Sequence, residues 1–185
     1  LRTTLRISES QSYHIKIKFD AKPAGTLISR NRPPDGLRGI ECGLANDKFF
    51  VFDGTYPAAM VCDGNKKSIK SILDNNSPGL KAKIWYDIFL VFSAGNYLEL
   101  TVIESTTGKV IRQQKIPCPH IKKLNPNAGE KQLSIGARRQ NSKEAVMPVP
   151  AGTLISRITV WDKTLSQNEI YSELGIKKQV GASYG

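Results

Sequence analysis

Apolar and polar residues alternate along much of this chain with a period of two, the pattern of strands half-buried in a sheet. From Tyr13 to Phe19, the residues Tyr13, Ile15, Ile17 and Phe19 interleave with His14, Lys16 and Lys18. That predicts a strand with one core face and one wet, basic face, with His14 turned to solvent. Ile40, Cys42 and Leu44 repeat the alternation. The unbroken run Phe49-Phe50-Val51-Phe52 reads as a central strand covered on both faces. Ile84, Tyr86, Ile88, Leu90 and Phe92 form one face of a longer strand, and Trp85, Phe89 and Val91 the other. Gly95-Asn96 is expected to make a two-residue type II′ turn. The return strand then points Leu98, Leu100 and Val102 inward, and Tyr97, Glu99 and Thr101 outward. Thr106-Thr107-Gly108 opens a second hairpin into residues 109–116, Pro117-Cys118-Pro119 closes it, and Lys131 to Ala137 supplies a further strand.

The chain closes on a long strand running into a short helix. Leu154, Ser156, Ile158 and Val160 share one face of that strand by the two-residue period, opposite Ile155, Arg157, Thr159 and Trp161. Ser166 and Glu169 have capping-box spacing, Leu165 and Ile170 sit at the staple positions, and Gly175 with Lys177 and Lys178 marks the end. Upstream, PAGTLISR at 23–30 returns unchanged at 150–157 between unrelated flanks, so it is not a solenoid period. Both copies read as strand starts.

About a dozen strand segments and one short helix make the chain all-β: an antiparallel two-sheet sandwich or jelly roll. The closing stretch also resembles the end of a laminin-G-like or pentraxin-like domain, through Gly152, Ile155, Arg157, Ile158, Val160, Trp161, Leu165, Ser166, Glu169 and Ile170. Ser156 stands where that family carries an acidic residue. Tyr13 to Phe19, the two hairpins after Trp85 and the Leu133-Ile135-Gly136 strand extend the resemblance over nearly the whole chain. It implies a concanavalin A-like jelly roll with one short C-terminal helix. The expected organisation is a single domain, residues 1–185, excised from a larger secreted or cell-surface protein.

A net charge of +11 admits an anionic partner, but the positives are scattered in small pairs such as Lys66/Lys67, Lys122/Lys123 and Arg138/Arg139. Specific nucleic-acid binding is therefore not expected. No apolar run reaches the roughly 18 residues of a membrane span, so no insertion is expected. Of the three cysteines, Cys42 and Cys62 meet across neighbouring strands or stay buried thiols.

Catalysis is not expected. A glycosidase needs two carboxylates roughly 5 to 9.5 Å apart, yet Glu99 and Glu104 are five residues apart on opposite strand faces, and Glu41 has no acidic neighbour two residues away. His14 and His120 lack a nucleophile partner. The resemblance makes calcium possible, but Asp53, Asp63 and Asp74 form no cluster of hard oxygens, so no cofactor is assigned. The candidate ligand-binding residues are Tyr56 and Tyr97 as aromatic platforms, with Arg138, Arg139, Gln140 and Asn141 as polar partners. Gly136 and the polar run to Lys143 are expected to form a loop in which both arginines turn to one anion. The sequence thus reads as a non-catalytic lectin-like module whose partner is carbohydrate, with acidic glycan favoured by charge. A structural or protein-binding domain is the alternative, and a glycosidase a third reading.

Overall fold

A computed structural model describes residues 10–29, 41–45, 48–52, 79–117, 133–139 and 145–176. Among the described residues, strands β1 (Gln11–Lys18), β2 (Gly25–Ser29), β3 (Glu41–Ala45), β4 (Lys48–Phe52), β5 (Trp85–Ser93), β6 (Tyr97–Glu104), β7 (Val110–Pro117), β8 (Ser134–Ile135), β9 (Arg138–Arg139), β10 (Ala145–Val146) and β11 (Leu154–Trp161) precede one helix, α1 (Gln167–Glu173). One sheet has five strands in the order β11-β1-β5-β6-β7, the other four in the order β4-β3-β2-β8, and β9 and β10 form a ribbon. All pairings are antiparallel. This is the expected jelly-roll sandwich.

The inward sets of the alternation meet between the sheets. Tyr13, Ile15 and Ile17 of β1, Ile88, Leu90 and Phe92 of β5, and Leu98, Leu100 and Val102 of β6 pack with Leu27, Ile28, Cys42 and Leu44. Cys42 is a free, buried thiol. Burial, and behind it the Glu41 charge, pushes its pKa up to about 12. The five-stranded sheet has a second core on its outer face, where Phe89, Val91 and Ile103 pack with Leu165 and Ile170 of the helical segment.

That second core corrects the sequence reading in several places. His14 is buried rather than solvent-facing, because α1 and the end of β11 cover this part of the face. Glu99 and Thr101, read as outward, are buried for the same reason. Gln167 of α1 donates to Glu99 Oε1 at 2.7 Å and Thr101 Oγ1 at 2.8 Å. The β5–β6 hairpin pairs Ser93 with Tyr97, so its loop has three residues with Gly95 at φ 68°, not two. Among the described residues β4 ends its sheet instead of lying centrally. In β11 the β1 pairing jumps from Lys16↔Arg157 to Ile17↔Ile155. Ser156 is thus an extra residue, and Ile155 joins the face of Ile158 and Val160.

Candidate functional site

The last residue of β11 and the helix after it enclose a groove of about 240 Å³, lined by Trp161, Lys163, Leu165, Glu169, Ser172 and Glu173. Its floor is anchored from below. Buried Ser12 lies opposite Trp161 in register, donates to the Lys163 carbonyl at 2.8 Å and accepts from the Leu165 amide at 2.9 Å. The turn leading into α1 is thereby tied to β1 by a residue more than 150 positions away. The helix starts at the capping box expected from sequence: Ser166 accepts from the Glu169 amide, and Glu169 accepts from the Ser166 amide. It ends in a Schellman pair, Ile176 N–H to Tyr171 and Gly175 N–H to Ser172, with Gly175 at φ 65°. Seven residues are few for a helix, so the caps and the buried Leu165 and Ile170 hold it in place.

Trp161 is half-buried in this groove. Phe89 stacks with it at 6.2 Å between ring centroids and His14 at 6.4 Å, while His14 and Phe89 lie face to face at 4.2 Å. Around the indole the charges pair off. Lys163 bonds Glu169 at 2.5 Å, and Arg157, projecting from β11, bonds Glu173. The Lys163 and Ser166 hydrogen bonds hold the Glu169 carboxyl at about 2. The groove therefore offers an aromatic surface, a hydroxyl and a rim of two cations balanced by two anions.

Glu169 and Glu173 are one helical turn apart and share the groove, a carboxylate pair that the sequence reading passed over. A glycosidase acid must keep its proton near neutral pH, which requires a raised pKa. Glu169 is shifted the opposite way, and Glu173 is already committed to Arg157. Calcium fits no better, since the Lys163 ammonium occupies Glu169. Among the described residues no three His, Cys, Asp or Glu side chains gather as a metal site. Asp53, Asp63 and Asp74 lie outside the described residues.

Beneath the groove, Asp87 joins His14 Nε2 at 2.7 Å and Ser105 Oγ at 2.5 Å. Burial pushes Asp87 up, but hydrogen bonds from His14 and Ser105, with the charges of His14 and Lys16, leave it net lowered. The chain contains Ser, Asp and His, yet the carboxylate stands in the middle. A serine nucleophile needs the imidazole next to its hydroxyl. This network orients rings; it does not activate Ser105.

Of the residues singled out from sequence, the described ones lie on different elements: Tyr97 in the five-stranded sheet, Arg138 and Arg139 in the ribbon. Tyr97 starts β6 on the outer face of the five-stranded sheet, half-buried, with Lys115 Nζ 3.9 Å from its ring centroid. Arg138 and Arg139 form β9, paired with β10 beside β2 and β8 of the other sheet. They sit in a strand where a loop was expected. Tyr56, Gln140 and Asn141, with His120, lie outside the described residues. What the sequence reading missed as a site is Trp161 with Glu169 and Glu173. The available signal was an aromatic ending a strand beside a helix bearing two carboxylates at i and i+4.

No protein-family model and no curated protein sequence matches the chain. Solved structures do. A proposed carbohydrate-binding protein from Bacteroides ovatus superposes with a TM-score of 0.58 at 15% identity, over 92% of this chain and 42% of that one. A heptameric SAP-like pentraxin from Limulus polyphemus gives 0.56 at 14%, over 90% and 70%. The binding domain of botulinum neurotoxin serotype D gives 0.55 at 15%, over 91% and 36%. The chain thus spans less than half of the Bacteroides and toxin chains. At these identities the likeness is one of fold: the jelly roll is shared, and chemistry has to be argued from the groove.

Proposed function

We propose that this protein is a non-catalytic, lectin-like recognition module that holds a carbohydrate in the groove between β11 and α1. The observation that carries this reading is Trp161, a half-buried indole backed by Phe89 and His14 at a groove rimmed by paired polar groups. A sugar ring has an apolar face that packs on an indole and hydroxyls that need donors and acceptors, and both are supplied here. The volume, about 240 Å³, falls under the roughly 300–1,000 Å³ of drug-sized sites, which suits a terminal sugar residue better than a long chain. Lys163 and Arg157 are spent on Glu169 and Glu173, so this groove favours a neutral sugar over the acidic glycan suggested by total charge. The fold neighbours described as carbohydrate-binding and as a pentraxin fit the same reading. A secreted or surface setting is part of the proposal.

A protein-binding role without a glycan site is the second reading. It is favoured by Met147, Leu154 and Ile155, which are 37%, 50% and 38% exposed, the latter two along an edge strand. A glycan array carrying neutral and sulfated sugars, read with calcium and with chelator, separates the readings. Binding to neutral terminal sugars that persists in chelator is the expected result. A blank array removes the lectin reading, and retention of sulfated sugars alone moves the site away from this groove.

A further inference from the structure

The repeated octapeptide occupies two unlike environments. The first copy supplies β2, held between β3 and β8, with Leu27 and Ile28 at 0% and 1% exposure. The second begins β11 at the sheet edge, and there the same residues, Leu154 and Ile155, are 50% and 38% exposed. Every side chain that the β2 slot requires is therefore present a second time, in a segment that the native fold buries poorly. The two copies also start side by side. A Cβ on Gly25 would lie 2.4 Å from the Pro148 carbonyl, just before the second copy, and a Cβ on Gly152 would lie 3.0 Å from Asp20, just before the first. Both glycines have positive φ, 94° and 78°, so the turn preceding each strand makes the same demand.

We infer that the second copy competes with the first for the β2 slot while the chain folds, giving a transient strand-exchanged state. In that state Ile155 lies opposite Cys42 and Ser156 opposite Glu41, as Ile28 and Ser29 do natively. The residues after the second copy resolve the exchange. Ile158 to Trp161 pair with Ile15 to Ser12 only from the β11 position, and only from there does α1 reach its core. Identical local sequence makes the competition, and the flanks settle it.

A thiol placed at Ile155 reads the exchanged register directly. The chain carries Cys62→Ser and Cys118→Ser, leaving Cys42 with either Ile155→Cys or the control Ser156→Cys. Directly opposed antiparallel residues stand about 4.5–5.5 Å apart, within reach of a disulfide, whereas facing sheets are about 10 Å apart and beyond it. Unfolded protein is diluted into buffer containing glutathione disulfide, which takes the two electrons and leaves as two thiols. Samples are alkylated at intervals and mapped by mass spectrometry. The expected result is an intramolecular disulfide from Cys42 to the thiol introduced at position 155, several-fold above the link at position 156. None is expected when oxidant meets folded protein, whose Cys42 thiol is buried. No link during refolding, equal links at 155 and 156, or links only between chains would overturn the inference.

Discussion

Glu169 does two jobs with one carboxylate, closing the capping box and pairing with Lys163 at the groove rim. Its folded pKa of about 2 lies below the ordinary 4.5, so its stabilisation is fully present above about 4.5 and is lost as pH falls toward 2. Thermal melts of the parent and Glu169→Gln should differ at pH 6 and converge as pH approaches 2. A constant difference across that range would show that the carboxylate charge is not what matters. His14 works at the same scale. It keeps a buried imidazole on Asp87 while its ring backs Trp161. His14→Ala removes both, leaving a buried carboxylate short of a partner, and is expected to cost about 3–5 kcal/mol in denaturant melts. Ser105→Ala, which leaves His14 in place, should cost about 1 kcal/mol.

At the scale of elements, caps and turns carry positional demands that substitutions expose. Ser166→Ala should weaken the fold by about 1 kcal/mol through the lost cap. Gly95 and Gly25 both have positive φ, but only Gly25 is hemmed in by backbone. Gly95→Ala is expected to cost about 1–2 kcal/mol from conformation alone. Gly25→Ala adds a clash with the Pro148 carbonyl and should cost clearly more, as chemical denaturation of the pair would show. The strands and helix behind these predictions were largely legible in sequence, because period two, turn residues and caps are local signals. The Ser166–Glu169 box and the two-sided burial of β5 came from such patterns. The misplacements have one physical source. His14, Glu99 and Thr101 are polar residues on an alternating strand, and only a helix distant in sequence turns their face into a second core. The inserted Ser156 likewise moves Ile155 to the other face, since a bulge leaves no mark on the alternation itself. The groove was legible only in its parts, Trp161 and the two helix carboxylates, because they form one site only once Ser12 has fastened the 163–165 turn beside Trp161.

At the scale of the whole molecule, the +11 charge and the groove part company. Charge that is spread over a basic surface steers anions weakly and is screened beyond roughly 8 Å at physiological salt. The groove closes its own ion pairs, so a sugar bound there should hold with nearly unchanged affinity as salt rises, and a DNA duplex should bind weakly and lose affinity with salt. Calorimetric titrations of both ligands at low and moderate salt check this; parallel losses would tie sugar binding to bulk charge. The sharpest measurement uses the two tryptophans of the chain, Trp85 and Trp161, as built-in reporters. In a ¹⁵N-edited spectrum each indole N–H gives one signal, assigned by Trp161→Phe, and the spectrum is followed while a neutral sugar retained on the array is added. The account predicts a saturable shift of the Trp161 signal, with Trp85 nearly still and binding lost in Trp161→Ala. A shift at Trp85 alone, or unchanged binding by a folded Trp161→Ala protein, would contradict it.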